Sequence, residues 1–339
     1  MNPVLAQWVA VLSPLLAFAI ALRLLPWLLG PGRRWRPVDH PNERSLHHTP
    51  TPRSGGVAVI AGTLVAALAV TPAWPIAAWI AAGTAALAAL SLIDDFRGLP
   101  ALVRLCAHLA VAALFLLFAP QVVHWPGGWI GVLAVPVAVL ALGWAINLYN
   151  FMDGADGLSG GMTAIGFSAL AAGFLRVGDT GGAALSAAVA LSAVAFLRFN
   201  FHPARIFMGD VGAIPLGFLA GALGLIGFTA GYWPAWFPLL VFAPFCLDAS
   251  ITLGRRLLRG ERIWQAHRQH YFQRLVRSGW THRQTALAEY AAMTWGAAVA
   301  LTALEVDRLA QGLLLALWLA SALAALAWVD RRLPARRGE

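Results

Sequence analysis

The 339-residue chain contains no lysine: all 24 of its basic residues are arginine. Charge of either sign is scarce, at 12% of residues against 60% apolar. With a mean hydropathy of +0.71, that balance excludes an ordinary soluble domain and points to a polytopic membrane protein. The two cysteines, Cys106 and Cys246, both lie inside apolar runs, so no disulfide framework is implied. No repeat, low-complexity tract or soluble-domain boundary interrupts residues 1–339, which read as a single transmembrane domain. No cleavable leader is visible, because Val4 to Leu29 is too long for a signal-peptide core and reads as a first span. The absence of lysine is a compositional bias. The net charge of +9 is distributed over short loops, so no nucleic-acid partner is expected.

What is there is a series of apolar runs. Taking about 17 to 25 residues as one span, the chain offers eleven: 4–29, 55–71, 74–93, 102–119, 128–147, 161–176, 182–199, 211–230, 233–252, 287–304 and 309–329. The fold expected is therefore all-α, a polytopic helix bundle of about eleven transmembrane helices. Pro238 and Pro244 predict a kink or break in the ninth. The segments 30–54, 94–101, 148–160, 200–210, 253–286 and 330–339 share one side and hold nearly all the arginine, and only Arg176 and Arg308 sit at the other face. The positive-inside rule then places the N-terminus outside and the C-terminus in the cytoplasm. Every polar cluster falls on the cytoplasmic side, so any chemistry acts on a cytoplasmic substrate.

Asn147 to Gly161, NLYNFMDGADGLSGG, is the densest of these clusters. Asn147, Asn150, Asp153 and Asp156 recur every three residues. On a continuing helix each such step drifts by about 60°, so neighbours share a face and converge on one ligand. The glycines that follow let the backbone approach a bound group. The alternative is a polar loop with Asn and Asp as helix caps. Polar groups at a membrane boundary are costly unless used, and this density of carboxylate and amide oxygens favours a hard cation or a nucleotide.

Five more segments carry chemistry. The loop from Arg36 to Gly56 is kept from helix by Pro37, Pro41, Pro50 and Pro52 and lined with the donors Arg44, His47, His48 and Arg53; a basic juxtamembrane loop on anionic lipid is its plainer reading. The third span ends SLIDDFRG, leaving Asp94 and Asp95 at the rim with Arg97 beyond. Adjacent helical residues diverge by about 100°, so the two carboxylates serve different tasks, one toward a phosphate or metal and the other toward an arginine. In FNFHPARIFMGDVGA, Asp210 is the sole carboxylate and either caps the next span or meets Asn150 or Asp153 at a cation, for which oxygen ligands suit Mg²⁺. Asp248, about one turn inside the ninth span, either pairs with an arginine or belongs to the site. In the last large loop, Trp264 to Arg277 has helical periodicity and sets His267 and His270 three residues apart beside Arg268. Without a third ligand at zinc spacing, that set suits an anion better than zinc; an interfacial helix on anionic lipid is the alternative.

Together SLIDDFRG, NLYNFMDGADGLSGG, IFMGDVGA, AHRQHYFQRL and the loop ending PTPRSGG resemble, in order, the motifs of the polyprenyl-phosphate N-acetylhexosamine-1-phosphate transferase superfamily. The resemblance spans the whole chain. It implies a bacterial inner-membrane enzyme, its site facing the cytoplasm, that transfers a sugar 1-phosphate from a UDP-N-acetylhexosamine to undecaprenyl phosphate and releases UMP. It implies Mg²⁺ as cofactor, with Mn²⁺ able to substitute, and a homodimer as an expected assembly. By the same resemblance Asp94 and Asp95 are the catalytic acidic pair near the lipid phosphate, and Asp210 and Asn150 the metal ligands. Asp153 and Asp156 contact the uridine part, and His267, Arg268 and His270 grip the diphosphate or sugar. Asn147, His48 and Arg53 count among the substrate-binding residues. AHRQH lacks the triple-histidine ending of the enzymes that act on UDP-MurNAc-pentapeptide, and so looks more like the initiating enzymes of O-antigen or common-antigen synthesis.

Two other classes remain to be weighed. A transporter or flippase predicts charges deep within paired halves, whereas here they gather at one rim. An inert membrane anchor predicts decayed acidic motifs, whereas Asp94, Asp95, Asp153, Asp156 and Asp210 are all present.

Overall fold

The computed structural model describes residues 2–30, 37–41, 49–119, 129–262 and 267–333. Helix α1, Pro3–Leu29, leads through a short ladder of β1, Val38–Asp39, and β2, Thr51–Pro52, into α2, Gly55–Val70. Then follow α3 (Ile76–Arg97), α4 (Ala101–Phe118), α5 (Trp129–Met152), α6 (Leu158–Arg176), α7 (Thr180–Asn200), α8 (Asp210–Thr229), α9 (Trp236–Val241), α10 (Ala243–Leu258), α11 (Tyr271–Arg277), α12 (His282–Ala303) and α13 (Arg308–Arg332). The antiparallel pair, Val38 opposite Pro52 and Asp39 opposite Thr51, is a small addition to the all-α expectation. It forms where the prolines deny the loop a helix.

Each of the eleven predicted runs contains helix. Among the described residues, eight helices are by themselves long and apolar enough to cross a membrane: α1, α3 to α8 and α13. Helix α2 is shorter at 16 residues, and α12, which carries Arg283, Gln284 and Glu289, falls short on composition. The ninth run is broken at Phe242, between α9 and α10, as its prolines predict. Pro244 sits in the first turn of α10, where its missing N–H removes no helical bond.

Helix α8 forms the middle of the bundle, 83% buried over its span, and packs against α5, α3 and α2. Helix α13 is 6% and α4 22% buried, and both turn rows of leucine outward. Lipid is as apolar as leucine, so the buried interfaces owe their cohesion to close packing and small residues. Gly83 shows how: a side chain there would meet the ring of Phe218 at 2.6 Å, and that ring packs edge-on against Phe115 at 5.3 Å. At one end of the bundle the short connection between α3 and α4, the segment 153–157 after α5 and the segment 201–209 before α8 bring the polar ends of these helices together.

Candidate active site

The end of α3 is set by Gly98, whose left-handed backbone (φ +64°) stops the helix and whose N–H closes on the Asp94 carbonyl at 2.7 Å. The Asp94 carboxylate then accepts from the Leu99 N–H at 2.6 Å. This tight turn folds α4 back so that Arg104, one turn into it, reaches Asp94 at 3.0 Å and Asp210 at 3.8 Å. Asp95 points elsewhere, to Arg53 at 2.7 Å, and its carboxylate is only 3% exposed. Divergence of the pair is as predicted, but neither carboxylate stands free: each has its own arginine. Asp95 Oδ2 and Arg53 Nε remain buried without a hydrogen-bond partner among the described residues.

Arg53 is held there by backbone. The N–H groups of Gly55 and Gly56 donate to the carbonyls of Phe207 and Met208 at 2.9 and 2.8 Å, and Phe207 donates to Pro52 at 2.8 Å. At Gly209 (φ +70°) a side chain would lie 2.2 Å from the Arg53 carbonyl, so only glycine allows this crossing. Asp210 follows at once. The Gly209 N–H donates to Asp153 at 3.2 Å, and Ser159 donates to the other Asp153 oxygen at 2.5 Å. Burial pushes Asp153 up to about 6; the Ser159 bond pulls it down, and the negative charge of Asp210 raises it further.

The three-residue spacing of the central stretch is only half helical. Helix α5 ends at Met152, so Asn147 and Asn150 share it while Asp153 and Asp156 lie beyond it. Asn147 donates to the Gly143 carbonyl at 2.7 Å, and the Asn150 amide makes no hydrogen bond among the described residues. Asp156, expected at the uridine, makes its contacts with histidines. It is buried, lies 2.7 Å from His202 Nδ1, accepts from the Ala204 N–H at 3.1 Å, and has His282 Nδ1 at 3.7 Å. The stacked rings of His202 and His282 cover it. It fastens the 200–206 turn to the start of α12: Oδ2 is held by His202 and Ala204, while Oδ1 has only His282 Nδ1 nearby, a nitrogen that accepts the Asp156 N–H.

The histidine segment is also less helical than its periodicity predicts: among the described residues only Tyr271–Arg277 forms helix, and 267–270 precedes it as bent, non-helical chain. His267 and His270 are nonetheless neighbours, with ring centres 4.8 Å apart. Asp248 organises them, accepting from the N–H groups of Tyr271 and Phe272 at 3.0 and 3.2 Å and lying 2.9 Å from His270 Nδ1. It thus caps α11 instead of pairing with an arginine. His267 Nδ1 accepts from the Gln269 N–H at 3.3 Å, which leaves Nε2–H to donate outward. Burial, helped by the charges of His270 and Arg256, lowers His267 to about 4, so it acts as a neutral donor and not as a cation. Arg268 makes no ion pair among the described residues and supplies the charge. Phe272 ties this segment to the carboxylates: its ring fills the space a side chain at Gly154, next to Asp153, would need. His48 lies outside the described residues.

Among the described residues no three carboxylate, imidazole or thiol side chains by themselves form a metal cage. Asp153 and Asp210, linked through the Gly209 N–H and near enough for the charge of one to act on the other, do offer hard oxygen donors, with Asn150 at the end of α5 just before them. That fits Mg²⁺, which takes one or two carboxylates and completes its octahedron with water and phosphate. Sequence reasoning missed Arg104, although a single charge ten residues past Asp94 in an apolar run is a signal in itself. It also missed Ser159, His202 and Asp330, whose roles depend on contacts between distant elements.

Residues 77–228 match a family model described as glycosyl transferase family 4. The chain is 30% identical over 263 residues to a probable undecaprenyl-phosphate N-acetylglucosaminyl 1-phosphate transferase of Bacillus subtilis, covering 75% of this chain and 73% of the relative. It is 32% identical over 296 residues to a decaprenyl-phosphate N-acetylglucosaminephosphotransferase of Mycobacterium tuberculosis, at 75% and 72% coverage. A phospho-N-acetylmuramoyl-pentapeptide-transferase of Synechococcus is 30% identical over 290 residues, covering 75% of each chain.

Proposed function

Because the chain belongs to glycosyl transferase family 4, the polyprenyl-phosphate N-acetylhexosamine-1-phosphate transferase superfamily, we propose that it transfers N-acetylglucosamine 1-phosphate from UDP-N-acetylglucosamine to undecaprenyl phosphate. The observation that carries this reading is the meeting of Arg53, Asp94, Asp95, Arg104, Asp153 and Asp210 at one end of a membrane bundle. An oxygen of the lipid phosphate attacks the sugar-bearing phosphorus of the UDP-sugar. A new P–O bond forms, the bond from that phosphorus to the bridging oxygen breaks, and UMP leaves with that oxygen.

Such a transfer needs positioning and charge neutralisation more than covalent help. A lipid phosphate monoester has a second pKa of about 6 and is already largely ionised at neutral pH. Asp95, held by Arg53, is placed to accept the remaining proton, which assists without being indispensable. Arg104 is shared by two carboxylates and can turn one of its N–H groups to a phosphoryl oxygen while keeping a partner. His267 Nε2–H and Arg268 donate to the leaving nucleotide's phosphate. Asp210, Asp153 and Asn150 would hold Mg²⁺, which when bound supplies charge neutralisation for the diphosphate.

Turnover is the test. Purified protein with undecaprenyl phosphate, Mg²⁺ and UDP-N-acetylglucosamine is expected to release UMP and yield a lipid diphosphate sugar. Release of UDP would mean ordinary glycosyl transfer and overturn the proposal; turnover only with UDP-MurNAc-pentapeptide would move the chain to that branch. The arginine-rich end, site included, is proposed to face the cytoplasm. In a Cys106→Ser, Cys246→Ser background, Ser278→Cys should label only from the cytoplasm and Thr180→Cys only from outside.

A further inference from the structure

His108 lies on α4 one turn beyond Arg104 and is 3% exposed, yet neither ring nitrogen has a hydrogen-bond partner among the described residues. A buried polar group without a partner costs about 1–3 kcal/mol, and such groups in native proteins call for an explanation. Its surroundings narrow the answer. The polar groups around it are Arg104, Asn147 and Asp94; the Asn147 amide faces the ring, but outside hydrogen-bond geometry, and holds one of its two N–H groups on the Gly143 carbonyl. Helices α4 and α5 touch closely here, because a side chain at Gly143 would lie 2.5 Å from Leu109, so the ring cannot easily swing to a new protein partner. At the same end Asp95 Oδ2 and Arg53 Nε are likewise buried and unpaired. The opposite face of α4 exposes Leu102, Val103, Leu105, Leu114 and Leu117.

We propose that His108 donates a ring N–H to the phosphate of the isoprenoid acceptor, forming with Arg104 a phosphate grip on the inner face of α4. A neutral imidazole carries one N–H, so no change of protonation is needed. An anion is favoured over a cation because the companion one turn away is a guanidinium, which repels metal ions and binds phosphate. The acceptor is favoured over the nucleotide sugar because α4 is a lipid-facing helix: a head group drawn in from the bilayer meets its inner face while the tail stays along the leucines. The inference rests on the proposed reaction for the identity of the acceptor.

The test separates the two claims by measuring binding apart from turnover. Farnesyl phosphate and farnesol are titrated into detergent-solubilised wild type, His108→Leu and His108→Gln, with UDP binding as the mark of a folded site. Wild type should prefer farnesyl phosphate. His108→Leu, similar in size but without a donor, should bind farnesyl phosphate about 10- to 100-fold more weakly, as expected for a hydrogen bond to a charged group, with farnesol unchanged. His108→Gln, which keeps an N–H donor, should stay within a few-fold of wild type. In turnover, His108→Leu should raise KM for undecaprenyl phosphate and leave KM for the UDP-sugar within about twofold. Should His108→Leu lose UDP binding, His108→Met replaces it. Wild-type affinity for farnesyl phosphate in the donor-less variant, or equal weakening toward farnesol, overturns the proposal. Protein that binds farnesyl phosphate through His108 but never releases UMP overturns the proposed reaction instead.

Discussion

The carboxylate of Asp330, on the last turn of α13, accepts from both terminal nitrogens of Arg255 in α10, at 2.8 and 2.6 Å. The same carboxylate takes Arg274 at 2.9 Å and the Tyr271 hydroxyl at 3.1 Å, both from α11. Arg274 continues to the carbonyls of Leu333 and Val329 at 2.7 and 3.3 Å. The last helix is therefore fastened to the segment that begins at His267, from outside the stretch matched by the family model.

Asp330→Ala leaves Arg255 and the buried Arg274 facing each other without a counter-charge. Loss of such a partner costs about 1–3 kcal/mol, toward the lower end because the Asp330 side chain is 28% exposed. The expected outcome is a melting temperature lower by a few degrees and a KM for the UDP-sugar raised several-fold, with kcat less affected. Asp330→Glu should recover part of both. Unchanged KM and unchanged melting would show that α13 is not needed to hold α11.

Removing the Asp210 charge is expected to act through the cation. Asp210→Asn leaves Asp153 as the remaining carboxylate of the proposed ligand set, so the Mg²⁺ concentration for half-maximal activity should rise at least about tenfold, given how strongly affinity depends on ligand charge count. Asp95→Asn disturbs the Arg53 pair instead, and its loss should persist at saturating Mg²⁺. Normal Mg²⁺ dependence in Asp210→Asn would remove it from the metal site.

His267 makes a pH prediction with a definite sign. Its folded value, about 4, lies below the ordinary 6.5 because burial and the charges of His270 and Arg256 disfavour the imidazolium. The unfolded chain thus takes up a proton from about pH 6.5 downward while the folded chain does not until about pH 4. The stability this group contributes is present above pH 6.5 and is lost across that window. His267→Gln should flatten the decline of melting temperature between pH 6.5 and 4 without altering it above pH 7. An unchanged slope would place His267 in solvent.

The span pattern was legible because a bilayer demands long apolar runs of any chain that crosses it, and all eleven runs contain helix. The break near Phe242 was equally readable from Pro244. The acidic ends could be read as a cluster, since charge at a membrane rim is rare. Their pairing could not: Asp94 selects Arg104 only because Gly98 turns the chain tightly, and Asp95 selects Arg53 only because Gly209 admits a backbone crossing. The surroundings of Asp156 could not be read for a related reason. Three-residue spacing suggests one face, but the helix stops at Met152, and His202 and His282 arrive from 46 and 126 residues away to claim it. The His267–His270 pair was correctly judged adjacent for an incorrect reason, since Asp248 and not helical pitch brings the rings together.

Arg104 offers the sharpest separation of structural from chemical roles. It lies 3.0 Å from Asp94 and 3.8 Å from Asp210, and its removal leaves Asp94 without its ion pair and Asp210 with Arg53 as its remaining positive neighbour. Arg104→Gln should therefore both destabilise the protein and lower kcat by about 10²–10³-fold, the range found when one preorganised donor to a developing charge is lost. Arg104→Lys keeps the charge but cannot fork between two partners, so a loss of about tenfold is expected. The double variant Arg104→Gln, Asp94→Asn removes the unpaired carboxylate along with the cation. Its melting temperature should return toward wild type while its activity stays as low as that of Arg104→Gln. Recovery of activity in the double variant would mean that Arg104 serves only to balance the carboxylates, and that the phosphoryl group is held by Arg53 and the 267–270 segment alone.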